Sequence, residues 1–225
     1  MSGHRFLLLA FAVQAGPALA QQAGVAATRH NLSVSGPGEV KATTETQVCK
    51  FCHVPHSAVL PQPLWGHALS KVEHYDVPVV RRATGVAEPM PQPDGASRLC
   101  LSCHDGTVAL GDLGREGRQI TMAGAQRLDR SRRGFIGTDL SGSHPISFVI
   151  PEADPNGQNS ADDMGIRTRS LVLADGKVRL DEAGKMQCTT CHDAHSDRYY
   201  EAGRVPRFWV KPTVDEVCVA CHELH

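Results

Sequence analysis

Cys49-Lys50-Phe51-Cys52-His53 is the stretch that most constrains this 225-residue chain. Its Cys-x-x-Cys-His core returns at Cys100-Cys103-His104, Cys188-Cys191-His192 and Cys218-Cys221-His222, and these copies take up all eight cysteines. Two thiols three residues apart lie on the same side of one turn, so both sulfurs can add to the two vinyl groups on one edge of a porphyrin. The adjacent histidine then offers a neutral imidazole nitrogen to the iron. The spacing predicts covalently attached haem c at each of the four motifs. Cys49, Cys52, Cys100, Cys103, Cys188, Cys191, Cys218 and Cys221 would be the attachment points, and His53, His104, His192 and His222 the first axial ligands. The competing reading is a set of zinc knuckles or redox thiols. Zinc sites join two such pairs across roughly 12 to 20 residues, whereas the gaps here are longer and unequal. Each pair is also followed directly by histidine, although histidine supplies only 12 of the 225 residues.

Residues 1–20 combine a basic start, a short apolar run from Phe6 to Val13 and the small-residue site Ala18-Leu19-Ala20. They read as a secretory signal peptide, too short to span a bilayer. No later segment approaches spanning length. The expectation is an exported protein, periplasmic or extracellular, whose functional part is residues 21–225. With every cysteine in a haem motif, no disulfide framework is expected.

Aromatics are scarce, while Gly 21 and Pro 14 are spread along the chain. Such a sequence cannot bury much apolar surface with its own side chains. The expected fold is a mostly irregular multihaem cytochrome fold with a core formed by four haems, a few short helices at the haem motifs and a small β-hairpin. Thr44-x-x-Gln47 and Thr213-x-x-Glu216 match capping boxes ahead of the first and fourth motifs. Leu171-Val172-Leu173, Asp175-Gly176 and Val178-x-Leu180 carry the hairpin signal. Residues 21–39 read as an irregular arm, and Trp65 packs either on a haem face or in an ordinary core. The motifs group as two pairs, with possible haem pairs in 21–125 and 126–225. The first member of each carries a further histidine three residues on, His56 and His195.

An iron with two strong protein ligands exchanges electrons, whereas one with an open site can do chemistry. Outside the leader and the motifs the chain retains His30, His56, His67, His74, His144, His195 and His225 for four second axial positions. This surplus favours bis-histidine irons over ligation by Met90, Met122, Met164 or Met186. His56 and His195 cannot swing to the far face of the ring served by their own motif, so each must serve a different haem or none. His144, bounded by Pro145, suits a haem between the pairs, while His67, His74 and His225 are left open.

His30-Asn31-Leu32-Ser33, Cys49 to His56, Pro63-Leu64-Trp65, Leu99 to Thr107, Ser143 to Phe148 and Cys188 to His195 together resemble a family of multihaem c-type cytochromes with doubled Cys-x-x-Cys-His motifs. The tetrahaem members most similar in layout include extracellular cytochromes that polymerise into filaments. The resemblance implies stacked bis-histidine haems with His30, His56, His144 and His195 as the distal set. It also implies one axial histidine, His30 or His56, donated to a neighbouring subunit.

Without residues 1–20 the chain keeps 22 Lys plus Arg, Arg5 being lost, against 24 Asp plus Glu, a balance of −2. Eight haem propionates would take it to roughly −10, which argues against nucleic acid or an anionic membrane surface as a partner; the partners expected of an electron carrier are redox proteins. The one basic cluster, Arg127, Arg130, Arg132 and Arg133, is either a solvated loop or a set of propionate partners. The expected role is electron transfer, not catalysis. The alternatives are a monomeric periplasmic shuttle, or a multihaem oxidoreductase in which one open haem reduces a small nitrogen or sulfur oxyanion.

Overall fold

The computed structural model describes residues 24–56, 58, 63–114, 118–152 and 164–223. The proposed leader and His225 lie outside them. Regular structure is short and gathers at the motifs. The first motif begins on a 3₁₀ turn, Val48–Phe51; the second ends α1 (Gly95–His104); the third forms α3 (Cys188–Cys191); and the fourth ends α4 (Val214–Cys221). A further helix, α2 (Arg169–Ala174), packs on α4.

Among the described residues, six strands of two or three residues make three antiparallel pairs: β1 (Lys41–Ala42) with β6 (Met122–Ala123), β2 (Val79–Arg81) with β3 (Ala87–Pro89), and β4 (Asp112–Leu113) with β5 (Arg118–Gln119). The β1–β6 register, Lys41↔Ala123 and Ala42↔Met122, closes the loop that contains the first two motifs.

Local chemistry explains where the helices start. Thr213 Oγ1 accepts from Glu216 N at 3.2 Å, and Asp215 and Glu216 in the first turn face the positive end of α4, as the capping pattern predicted. The Thr44 pattern caps nothing; Gln47 leads into the 3₁₀ turn without a side-chain cap. A box absent from the sequence reading closes α3 instead, where Gln187 N donates to Thr190 Oγ1 at 2.9 Å. The hairpin expected at 171–180 is a helix. Asp175 and Gly176 terminate α2, Gly176 with φ +73°, so the Asp-Gly pair acts as a helix stop. Consecutive strands pair instead at β2–β3 and at β4–β5. The predicted arm is packed, with Thr28, Asn31 and Ser33 at most 1% exposed and Asn31 donating to Ala26 O at 2.8 Å.

Among the described residues the buried side chains gather in three small clusters. Phe51, Leu110, Ala42 and Met122 gather with Cys52 and Cys103. Phe148, Ile150, Val172, Val178 and Met186 gather with Cys191 and Cys221. Tyr75, Leu101 and Leu140 form the third. Sulfurs of the first and second motifs thus share one cluster, and those of the third and fourth share another. The two halves meet where α1 packs on α3. There Ser97 Oγ donates to Gln187 Oε1 at 2.5 Å, and Cys188 N donates to Ser97 Oγ at 3.0 Å.

Candidate haem sites

Each motif histidine is held by a backbone carbonyl. His53 Nδ1 donates to Pro63 O at 2.8 Å, His104 Nδ1 to Gly134 O at 2.5 Å, His192 Nδ1 to Arg207 O at 3.1 Å and His222 Nδ1 to Gly165 O at 3.2 Å. A carbonyl only accepts, so the proton must sit on Nδ1 and the Nε2 lone pair is left for a metal.

The backbone is bent to make these bonds. Leu64 and Phe208, each just after the accepting residue, have φ of 61° and 63°, a region that non-glycine residues rarely occupy. Gly134 and Gly165 supply the same left-handed turn for the second and fourth motifs, with φ of 92° and 66°.

Three of the four motif histidines face a second histidine. Ring centroids are 6.1 Å apart for His53–His195, 6.0 Å for His30–His104 and 6.2 Å for His144–His222. Two imidazoles on one metal need two bonds of about 2 Å, plus about 1 Å from each nitrogen to its ring centre, which places the centroids roughly 6 Å apart. The spacing fits an iron between each pair. The second members also present Nε2, for His30 Nδ1 donates to Ala194 O at 3.2 Å and His144 Nδ1 to Pro145 O at 2.9 Å, while His195 Nδ1 lies 3.5 Å from Asp193 Oδ1. Burial, assisted by His104, lowers the pKa of His30 to about 4, so its ring is the neutral form that ligation requires.

His192 differs. Among the described residues its ring meets Trp209, edge-on at 5.0 Å, and no second histidine. His56 and His74 are exposed and have no ring partner among the described residues. His67 is 0% exposed, and both its nitrogens are buried without a hydrogen-bond partner; its ring faces protein on every side rather than a second imidazole. Met122 and Met186 are buried in the apolar clusters, and Met90 and Met164 pack against one of them. Trp65 stands edge-on to His53 at 6.0 Å, so it packs on the motif histidine.

No group of three or more His, Cys, Asp or Glu that could hold a metal ion occurs among the described residues. Burial pushes the Cys52 thiol up to about 11 and the Cys191 thiol to about 12, and raises Cys103 further. A hydrogen bond from Cys100 moves the Cys188 thiol the other way, down to about 7. In the basic loop, Arg127, Arg130 and Arg133 are exposed. Arg132 lies 4.0 Å from Asp129, and its Nε has no hydrogen-bond partner.

The structure also exposes a repeat that the sequence reading saw only in part. His30-x-Leu-Ser returns as His144-x-Ile-Ser, Cys49 to Ser57 as Cys188 to Ser196, and Leu64-Trp65 as Phe208-Trp209, each time ahead of a second motif. The hydrogen bonds repeat as well. Val54 N donates to Leu64 O at 3.0 Å and Asp193 N to Phe208 O at 2.7 Å, while Gly66 N donates to Cys52 O at 2.8 Å and Val210 N to Cys191 O at 3.1 Å. The exchange of an aliphatic Leu64 for an aromatic Phe208, together with gaps of unequal length, hides the correspondence in the sequence.

Comparison with known proteins agrees with this chemistry. Residues 182–225 match the family model of a doubled CXXCH motif. No curated protein matches the chain. The matched segment holds the third and fourth motifs, and the first motif reproduces the backbone hydrogen bonds of the third. The chain carries the signature of a multihaem c-type cytochrome, which binds haem c covalently and transfers electrons.

Proposed function

We propose that this chain is an exported tetrahaem electron carrier, not an enzyme, working in the periplasm or outside the cell with redox proteins as its partners. Each attached haem would supply a one-electron couple. The observation that carries this reading is the recurrence of histidine pairs at 6.0–6.2 Å. His53 and His195 would grip one iron, His104 and His30 a second, and His222 and His144 a third. Because His195 follows His192 by three residues, the first and third motifs share a short turn, which keeps their haems close.

The fourth iron, at His192, decides between two readings. In the one favoured here its second ligand is His56 of another copy of the chain. His195 of the second half already completes an iron of the first half, and His56 occupies the same place in the repeat as His195. His30 is engaged with His104 inside its own chain, so of the two donors that the resemblance implies His56 remains. Repetition of one head-to-tail step gives an open filament. In the second reading that iron stays open, either in a monomeric shuttle or in an oxyanion reductase.

Carbon monoxide binding to reduced protein separates them. Binding at about one iron per dispersed chain, lost on assembly and retained in His56→Ala, is expected for the filament. Reduction of nitrite or sulfite by dispersed chains at steady state would overturn the carrier reading.

A further inference from the structure

We infer that Leu64 of a second copy covers His144, and that Pro55 O of that copy accepts from His144 Nδ1; this rests on the head-to-tail assembly proposed above. The template is the contact between the two halves of one chain. There the 188–210 segment meets the first half through three groups at once. His195 faces His53, the Phe208 ring stacks on His30 at 4.1 Å and 11°, and Ala194 O accepts from His30 Nδ1. Stacking and hydrogen bond together fix the plane of the His30 imidazole, which crosses its His104 partner at 69°.

The second half carries the receiving side of this contact. His144 stands to His222 as His30 does to His104, at 6.2 Å and 70°. Among the described residues no ring stacks on the face of His144, and its Nδ1 turns back to Pro145 O, its own neighbour in sequence. The first half carries the inserting side. Pro55 corresponds to Ala194, two residues beyond the motif histidine, and Leu64 corresponds to Phe208.

Leu64 shares the left-handed backbone of Phe208, yet is 47% exposed where Phe208 is 9% exposed. A large apolar side chain held outward on an uncommon backbone conformation, beside the exposed His56, is a contact surface without its partner. A second copy that repeated the contact between the halves would set its His56 against His192 and its Pro55 and Leu64 against His144. The occupant is a second copy of this chain, because the chain carries both the receiving and the inserting side of the contact.

The test compares wild type, Leu64→Asp and Leu64→Phe as full-length holoprotein, with assembly followed by light scattering and electron microscopy. Leu64→Asp should keep its haem content and the spectrum of the dispersed chain, while the concentration needed for assembly rises by at least about tenfold. Leu64→Phe, which copies Phe208, should lower it. Hydrogen exchange on wild type gives a readout without substitution: residues 53–56, 63–66 and 143–148 should slow together on assembly. Equal assembly of wild type and Leu64→Asp, or no added protection in these segments, would overturn the surface while leaving filament formation standing. Wild type that never assembles would overturn the assembly itself, and this surface with it.

Discussion

At the scale of single residues, ligand geometry is controlled by groups one step removed from any metal. The four motif histidines owe their tautomer to carbonyls at Pro63, Gly134, Arg207 and Gly165, none of which a motif search would select. Replacing His195 by Ala should leave all haems attached and add about one carbon monoxide site per chain, read from the reduced spectrum. An unchanged spectrum would mean that the His53–His195 pair is not a ligand pair.

Asp105, directly after His104, shows how a motif is anchored. Burial alone would push its carboxyl up, but hydrogen bonds from Ser70, Thr107 and Tyr75 outweigh it and hold the pKa below 3.8. Tyr75 donates to Asp105 Oδ2 at 2.7 Å, and burial pushes the phenol up to about 12, so it stays a donor at any working pH. A carboxylate depressed on folding contributes stability above its ordinary pKa and loses it as pH falls through the folded value. Asp105→Asn should lower stability by about 1–3 kcal/mol at neutral pH and flatten the loss of stability below pH 3.8, measured by thermal unfolding across pH.

Among the elements, the decisive junction is α1 against α3. Gln187, 1% exposed, takes hydrogen bonds from Ser97 and gives them to Asp94 and Asp181, each at 2.9 Å. It therefore couples the helix of the second motif to that of the third. Gly95 permits the approach, since a Cβ there would stand 2.9 Å from Gln187 Nε2 on a backbone with φ +47°. Gln187→Ala strands several buried polar groups, and a loss of about 1–3 kcal/mol is expected in chemical unfolding. Gly95→Val should be worse, with electron exchange between haems of the two halves slowed.

α2 and α4 are joined by the Lys211–Asp175 ion pair, both side chains at most 17% exposed. Burial opposes ionisation of Asp175, yet the Lys211 ammonium and the Val178 and Lys177 N–H groups outweigh it and leave the pKa below 3.8. Lys211→Met should therefore destabilise this half at neutral pH and remove part of its acid sensitivity. The mistaken hairpin belongs to this scale too. Leu171, Val172 and Leu173 alternate only because a short amphipathic turn buries Val172 and leaves its neighbours outside, a pattern three residues cannot distinguish from a strand.

For the whole molecule, the apolar clusters among the described residues are small, a few side chains each, and we propose that attached haem completes the core. Chain produced without haem attachment should show no cooperative unfolding transition, and a sharp calorimetric transition in such material would refute haem-dependent folding. The motifs, their attachment chemistry and the supply of spare histidines were legible in the sequence, because covalent attachment requires fixed residue types at fixed local spacing. Which histidine meets which was not legible, since His30 and His104, or His144 and His222, are brought together across more than seventy residues of irregular chain by carbonyls and left-handed turns that any residue can disguise. Local covalent chemistry is written in short motifs; the pairing of distant ligands exists only once the backbone has been folded around them.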